Sequence, residues 1–255
     1  MNPAVDLSAD LGESFGAYRL GDDDAMLELV SSANVACGFH AGDPRVMDAT
    51  VARCARLGVA VGAHPGFPDL TGFGRRTMEL TADEIRTDVL YQLGALDAFA
   101  RAHDVRLRHV TPHGRLGNLV VTAEAYAAPV VAAVSSYDPS LVVVTQAGVL
   151  ADLAARAGLP VAVLGLPDRR YHDDGTLVRR GEPGAVITDP AEVADRAVRM
   201  VTEHALDTVT GGELEIRCDT VLLHGDNPGA VRIARAVRER LSSAGVDIRP
   251  LPGAP

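Results

Sequence analysis

Residues 31–57, SSANVACGFHAGDPRVMDATVARCARL, contain one complete strand–loop–helix unit. The apolar run at 32–36 is short and lacks strict alternation, which is typical of a strand buried on both faces. Asp43 and Pro44 then form a helix-start signal, an N-cap carboxylate followed by a proline in the first helical position. We therefore predict a strand, a polar loop and a helix at 44–57.

The same alternation of strand and helix recurs along the chain. Strands are predicted near residues 4–7, 32–36, 59–63, 106–111, 141–145, 160–164 and 220–224. Helices are predicted at 22–31, 44–57, 82–103, 123–135, 147–157, 190–204 and 228–244. Such alternation indicates parallel strands joined by right-handed crossovers. Because polar clusters follow many different strands, we favour a seven-stranded barrel over a doubly wound sheet, which would gather its ligand at one switch point.

Length and composition fit one barrel domain spanning residues 1–255. Hydrophobic residues make up 47% of the chain and Trp is absent, so Val, Ala and Leu must fill the core. The net charge of −10 argues against nucleic acid and against an anionic membrane surface as partners. All 24 basic residues are Arg, which excludes a P-loop lysine and a Schiff-base lysine. Without a spanning apolar run or a signal-peptide layout, we expect a cytoplasmic protein with a small-molecule substrate.

The three cysteines, Cys37, Cys54 and Cys218, are widely spaced. No pair has the spacing of a metal site or of a redox motif. We interpret all three as reduced packing thiols. A nucleophilic Cys37, next to Gly38, is the weaker alternative.

Polar residues cluster at the ends of predicted strands. The clusters lie at 6–13, 34–43, 62–69, 111–115, 168–169 and 224–227. The C-terminal ends of barrel strands converge on one mouth, so we expect these clusters to share a pocket. Four of the eight histidines stand in them, namely His40, His64, His113 and His224. The other four, His103, His109, His172 and His204, lack this context, and we set them aside.

Carboxylates and imidazoles without lysine or paired cysteine suit hydrolysis or proton transfer. Asp10, His40 and His64 could also hold a metal as a two-histidine, one-carboxylate set, although their spacing fits no fixed motif. Segment 62–76, rich in Gly and Pro, is predicted to be a long loop over the site. Segment 168–182 is predicted to be a hairpin or a lid.

Eight stretches, in order along nearly the whole chain, resemble the LamB/YcsF family. They are DLSADLGESFG at 6–16, SSANVACGFHAGDP at 31–44, VGAHPGFPD at 61–69, YQLGAL at 91–96, PHG at 112–114, DGTLV at 174–178, PGAVI at 183–187 and HGDNPGA at 224–230. The resemblance implies an α/β fold, an irregular seven-stranded β/α (TIM-like) barrel of the glycoside hydrolase/deacetylase type. It also implies the A subunit of 5-oxoprolinase, which opens the lactam of 5-oxo-L-proline to L-glutamate with ATP cleavage. ATP with Mg²⁺ would be the cofactor, and B and C subunits resembling an allophanate hydrolase would be the partners.

On this resemblance, the catalytic candidates are Asp10, Glu13, His40, His64, His113 and Asp226. The substrate-binding candidates are Asn34, Asp43, Arg115, Asp168, Arg169 and His224. Asp10 or Glu13 would be the base that activates water. His40 and His64 would stabilise the oxyanion or the phosphoryl group, and the remaining catalytic candidates, with His224, would bind substrate or shuttle protons. Asp43 stays open between a helix cap and a ligand contact.

The chain departs from the family pattern at four positions. Thr111, Gly117, Leu164 and Ser8 stand where the family usually has Lys, Tyr, Glu and Asn, respectively. A cation and a carboxylate are both lost, and Arg115 could restore the cation, although Arg and Lys are not interchangeable. Two alternatives therefore stay open: a metal-dependent amide or deacetylase-type hydrolase, and a divergent paralogue with little catalytic activity that acts as a binding subunit.

Overall fold

The computed structural model describes residues 3–226 and 229–252. Within these residues the strands are β1 (Ala4–Leu11), β2 (Ser32–Ala36), β3 (Ala60–His64), β4 (Leu107–Val110), β5 (Val142–Thr145), β6 (Val161–Gly165), β7 (Ala205–Asp207), β8 (Glu213–Glu215), β9 (Thr220–His224) and β10 (Asp247–Ile248). The helices are α1 (Asp23–Leu27), α2 (Pro44–Leu57), α3 (Ala82–Ala102), α4 (Gly114–Thr122), α5 (Glu124–Tyr137), α6 (Val149–Arg156), α7 (Pro190–Thr202) and α8 (Ala230–Ser243).

A closed parallel barrel forms the centre of the molecule. Strands β1 to β6 pair in sequence order, and β9 closes the barrel by pairing with both β6 and β1. Asp10 of β1 lies opposite His224 of β9 in this closing register. The predicted seven-stranded β/α barrel is confirmed. Because these strands all run the same way, their C-terminal ends meet at one mouth.

Strand β1 is longer than predicted, since it continues beyond 4–7 to Leu11. Asp6, Ser8 and Asp10 alternate with apolar residues, so their side chains share one face of the strand. All three are buried. Polar residues at alternate positions suggested the end of a strand, but inside a barrel they are compatible with an inward-facing row.

Helix starts are predicted well where the sequence contains capping signals. Asp43 accepts hydrogen bonds from the backbone N–H groups of Arg45 and Val46 at the start of α2, at 2.8 and 3.0 Å. Thr81 and Glu84 form the capping box of α3. Each cap satisfies N–H groups that a helix terminus otherwise leaves without a partner.

Three elements differ from the prediction. Helix α1 is five residues long rather than ten, and the antiparallel pair β7–β8 and helix α4 are absent from the predicted elements. Helix α4 contains Gly114 and Gly117, and glycine disfavours a helix in sequence. A side chain at Gly117 would collide with the carbonyl of Pro112. Tertiary packing rather than helix propensity therefore sets this residue. The predicted start of α8 at residue 228, like Asn227, lies outside the described residues.

The cysteines and the irregular segments behave as the sequence indicates. Cys37 and Cys218 are buried, and burial raises the pKa of each thiol to about 12, as it does for Cys54. Such thiols are poor nucleophiles at neutral pH, so the packing interpretation holds for Cys37. The segment after residue 168 folds back as a hairpin, with antiparallel bridges from Arg169 and Tyr171.

No single helix in the described part of the chain is long and apolar enough to cross a membrane. The bent pair α4–α5, with 108° between its helices, passes that test only when the two are taken together.

Candidate active site at the barrel mouth

Asn34 holds the polar groups of β1, β2 and β4 in fixed positions. Its side-chain N–H donates to Asp10 Oδ1 at 3.0 Å. Its Oδ1 lies 2.7 Å from His109 Nε2 and accepts from Thr111 Oγ1 at 3.2 Å. With both ends of the amide engaged and 1% exposure, Asn34 orients other groups rather than binding substrate directly.

His109 corrects our sequence interpretation, which set it aside. Its ring is buried and faces Asn34 across the register position of Gly62. A side chain at Gly62 would overlap the His109 ring, so the glycine makes room for it. Burial lowers the pKa of His109 to about 4, which keeps the imidazole neutral. The available signal was its position two residues before Thr111, on the same face of one strand.

Three histidines pack against one another beside Asp10 and Glu13. His64 Nδ1 lies 2.7 Å from the carbonyl oxygen of Thr111, and His64 Nε2 lies 2.9 Å from His113 Nδ1. His113 Nε2 lies 2.8 Å from the carbonyl oxygen of Phe73. His40 stacks face to face on His113, with 3.7 Å between ring centroids.

Both carboxyl groups lie close to these rings. Asp10 Oδ1 is 3.4 Å from His64 Nε2. Glu13 Oε1 is 3.7 Å from His113 Nδ1 and 3.7 Å from His40 Nε2. All five side chains are buried, so their mutual charges act in a medium of low dielectric constant.

The pKa values of the two carboxyl groups shift in opposite directions. Burial raises the pKa of Asp10, but the charge of His64 outweighs burial, and the net pKa lies well below the usual range. Burial raises the pKa of Glu13 well above its usual range, and the neighbouring Asp10 and Asp226 raise it further. Burial also lowers the pKa of His113 and of His40. In the absence of a bound cation, Asp10 is thus ionised and Glu13 holds a proton.

A second polar group stands on the opposite side of Asp10. His224 Nδ1 lies 2.7 Å from Asp168 Oδ2, which fixes the orientation of the imidazole. Asp168 Oδ1 is buried without a hydrogen-bond partner in residues 3–226 and 229–252. Arg75 donates to Asp226 at 2.6 Å, and its guanidinium carbon lies 4.8 Å from the ring centroid of Phe73.

Three substrate-binding candidates have structural partners instead. Both oxygens of Asp43 accept backbone N–H groups, those of Arg45 and Val46 on one side and that of Gly16 (2.7 Å) on the other, so the cap interpretation is the one the structure supports. Arg115 Nε donates to Thr77 Oγ1 at 2.8 Å, away from the histidines.

Arg169 donates to the carbonyls of Val178 and Ala185, at 2.5 and 3.4 Å, and anchors the hairpin. The cation that the structure places beside the mouth is Arg75, in the predicted loop 62–76. Our sequence interpretation missed this residue, because an arginine in a glycine-rich loop carries no signal of its own.

The positions that depart from the family pattern are filled without a stranded charge. Thr111 is buried and hydrogen-bonded to Asn34, and Leu164 is buried on β6. Ser8 Oγ lies 3.0 Å from Thr220 Oγ1. Because a buried charge without a partner is costly, loss of the family's cation and carboxylate together leaves the interior balanced.

The histidine group also has the composition of a metal site. Glu13, His40, His64 and His113 each offer a ligand atom, and these atoms lie within 4.8 Å of one another. The set differs from the one we drew from sequence, with Glu13 in place of Asp10 and His113 added. Imidazole and carboxylate ligands together suit zinc, manganese, iron or cobalt ions.

A β/α barrel whose mouth gathers imidazole and carboxyl groups defines a protein with an acid–base centre of the kind that hydrolysis uses. The LamB/YcsF family pattern matches residues 5–254, and the chain belongs to that family. A relative from Mycolicibacterium paratuberculosis, named as the A subunit of 5-oxoprolinase, is 54% identical over 246 residues, which cover 96% of this chain and 98% of that protein.

Two solved structures match the fold. A lactam utilization protein from Thermus thermophilus has a TM-score of 0.93 and 47% identity, covering 97% of this chain and all of that one. The catalytic domain of a peptidoglycan N-acetylglucosamine deacetylase from Eubacterium rectale has a TM-score of 0.53 and 13% identity, covering 99% of this chain and 90% of that domain. The second likeness concerns the fold alone, and it agrees with the predicted deacetylase type of barrel.

Proposed function

We propose that this chain is the A subunit of a 5-oxoprolinase, which hydrolyses the lactam of 5-oxo-L-proline to L-glutamate with cleavage of ATP. The observation that carries the proposal is the 54% identity with a protein of that name over 96% of the chain. The barrel mouth supports it, because amide hydrolysis needs a base for water and an acid for the departing nitrogen.

The proposed reaction uses ATP because a five-membered lactam is a stable amide. The lactam oxygen attacks the γ-phosphorus of ATP, and ADP leaves. Water then adds to the activated carbon and gives up a proton, the ring C–N bond breaks as the nitrogen accepts a proton, and an acyl phosphate remains. A second water molecule converts the acyl phosphate to glutamate and phosphate.

The two carboxyl groups suit the two proton transfers. Asp10, ionised and held by Asn34, is the base that takes the proton from water. Glu13, whose pKa burial raises, supplies a proton to the ring nitrogen. The neutral His40 ring is available to the developing oxyanion, since both of its nitrogens are buried and lack a hydrogen-bond partner within the described chain. His224, oriented by Asp168, binds substrate or relays protons.

ATP, Mg²⁺ and the partner chains complete the proposal. In a chain without Lys, Arg75 is the cation beside the mouth that could meet a phosphoryl group. The relatives carry the name of one lettered component, which supports a complex of several chains, and we propose B and C subunits as partners. The unpaired cysteines support a reducing compartment, in line with the cytoplasm.

A second candidate is a stand-alone metal-dependent amide hydrolase. The four converging ligand atoms of Glu13, His40, His64 and His113 favour it. The two candidates differ in their requirements, because the first needs ATP and partner chains and the second needs only the ion.

The test is an ATPase assay of the chain mixed with its B and C subunits, with and without 5-oxoproline. We expect 5-oxoproline-dependent ADP release and glutamate formation by the wild type, and no gain from Thr111→Lys. A complex that assembles but turns over only with Thr111→Lys would identify a divergent paralogue. Hydrolysis by the isolated chain with metal and without ATP would favour the second candidate.

A further inference from the structure

We propose that Glu13, His64 and His113 bind one divalent transition-metal ion, and that His40 lies outside the ligand set. The proposal starts from the hydrogen atoms of two imidazole rings. A backbone carbonyl can only accept, so His64 Nδ1, 2.7 Å from Thr111 O, carries a hydrogen. For the same reason His113 Nε2, 2.8 Å from Phe73 O, carries one too.

The remaining nitrogens then present lone pairs to each other. In neutral rings, His64 Nε2 and His113 Nδ1 are both acceptors, and they lie only 2.9 Å apart. Two facing lone pairs at this separation repel, so a positive charge must sit between or beside them. A metal ion meets this need by accepting both lone pairs.

The outer partners of the two rings match those of metal-bound histidines. A ligating histidine nearly always donates its other N–H to a carbonyl or a carboxylate, which fixes the tautomer and the ring plane. His64 and His113 both do so, toward Thr111 and Phe73. The barrel thus holds both imidazoles in the tautomers that present a lone pair to the same point.

The distances also fit. Metal–nitrogen bonds are about 2.0–2.1 Å, and two such bonds at a right angle place their nitrogens about 2.9 Å apart. This is the separation of His64 Nε2 and His113 Nδ1. Glu13 Oε1, 3.7 Å from His113 Nδ1, is near enough to complete a set of two histidines and one carboxylate, which leaves positions open for water or substrate.

His40 fails the same geometric requirement. Its ring is nearly parallel to that of His113, at 7°, with centroids 3.7 Å apart. An ion in the plane of the His113 ring lies far outside the plane of the His40 ring, whereas an imidazole binds a metal in its own plane. His40 is therefore a matched control within the same cluster.

Metal binding is measured without ATP, 5-oxoproline or partner chains, so its outcome is separate from that of the proposed function. The chelator-treated chain is titrated with Zn²⁺ and with Co²⁺, followed by calorimetry and by the visible absorption of Co²⁺. We expect one ion per chain. Loss of an outer partner weakens metal binding about 10- to 100-fold, so loss of a ligand in His64→Gln or His113→Gln should exceed about 100-fold.

His40→Gln should bind the ion about as tightly as the wild type. Circular dichroism checks that each variant is folded. If a ligand variant unfolds, the wild-type melting temperature with and without Zn²⁺ gives an independent measurement, because an ion that binds only the native state raises it. Absence of stoichiometric binding by the wild type would assign the shared charge to a proton and overturn the proposal. Equal loss in His40→Gln would overturn the ligand set.

Discussion

Asp6 and Asp10 lie four residues apart on one face of β1, and both are buried, yet their surroundings differ. Asp6 is enclosed by hydroxyl groups: Ser31 and Ser32 donate to one oxygen and Thr220 to the other, each at 2.7 Å. Burial raises the pKa of Asp6 even though these hydroxyls lower it in part. The hydroxyls satisfy the geometry of the carboxyl group without supplying a positive charge.

Asp10 has a mixed environment. One oxygen accepts from Asn34 and lies 3.4 Å from His64 Nε2, and His224 stands opposite on β9. The charge of His64 outweighs burial and lowers the pKa of Asp10. The comparison teaches that one strand contributes a structural carboxyl group near its start and a reactive one near its end, according to what the neighbouring strands supply.

The largest expected effect is on catalysis. Asp10→Asn keeps an acceptor for Asn34 but removes the base, so we expect 5-oxoproline-dependent turnover of the complex to fall about 100- to 1,000-fold. The unfolding free energy should change little, because the hydrogen bond survives. Steady-state assays of the three-chain mixture measure the first quantity and urea titration the second. Unchanged turnover would remove Asp10 from the mechanism.

Asp6→Ala should produce the reverse pattern. Three buried hydroxyls would lose their acceptor, and we expect the unfolding free energy to fall by about 2–4 kcal/mol. Turnover per folded molecule should stay near that of the wild type. Urea unfolding provides the check, and a loss below about 1 kcal/mol would show that the hydroxyls find other partners or water.

A third carboxyl group beside β1 sharpens the comparison through pH. Asp23 accepts from the backbone N–H of Gly12 at 2.9 Å, and burial, with Asp24 and Asp22, raises its pKa from 3.8 to about 6. The native state holds the proton more tightly than the unfolded state does, so this group's contribution to stability is lost as the pH rises from about 4 to about 6.

Asp23→Asn should abolish that loss and stabilise the protein at pH 7 by about 1–2 kcal/mol, since one pKa unit is worth about 1.4 kcal/mol and solvent reduces the effect at this partly exposed site. Urea midpoints of the two proteins at several pH values between 4 and 7 test the expectation. Parallel curves over this range would contradict it.

The smallest effect is expected from Thr220→Val. This change removes one of the three hydroxyl donors to Asp6 and a partner of Ser8, while it preserves the shape of the side chain. We expect a loss of about 1 kcal/mol. In the Asp6→Ala background, where the acceptor is already gone, the same change should cost less. An undiminished loss there would show that Thr220 acts through packing.

The fold could be predicted from sequence because strand and helix signals are local. Short apolar runs, N-cap residues and a capping box mark most units of the barrel. Helix α4 was hidden because its glycine at position 117 answers to the carbonyl of Pro112, a contact that helix propensity does not contain. The β7–β8 pair was missed because its strands are only three residues long and partly exposed.

The site could be predicted only in part. Residues at strand ends follow from the topology, and His40, His64, His113 and His224 lie around Asp10 and Glu13 in the structure. His109 escaped because it lies inside a strand, and Arg75 because a loop brings it to the mouth. Asp43, Arg115 and Arg169 were assigned to substrate although local backbone or loop partners occupy them, and sequence spacing does not reveal such partners.

The pairing of β1 with β9 has a consequence for how the protein comes into being. The two strands that form this seam are separated by about two hundred residues, so a nascent chain carries Asp6 and Asp10 long before their partners on β9 are synthesised. Contacts of such sequence separation form late and slowly. The reactive mouth therefore does not exist in any partly made chain, and ligand affinity can serve as a reporter that folding has reached its final strand.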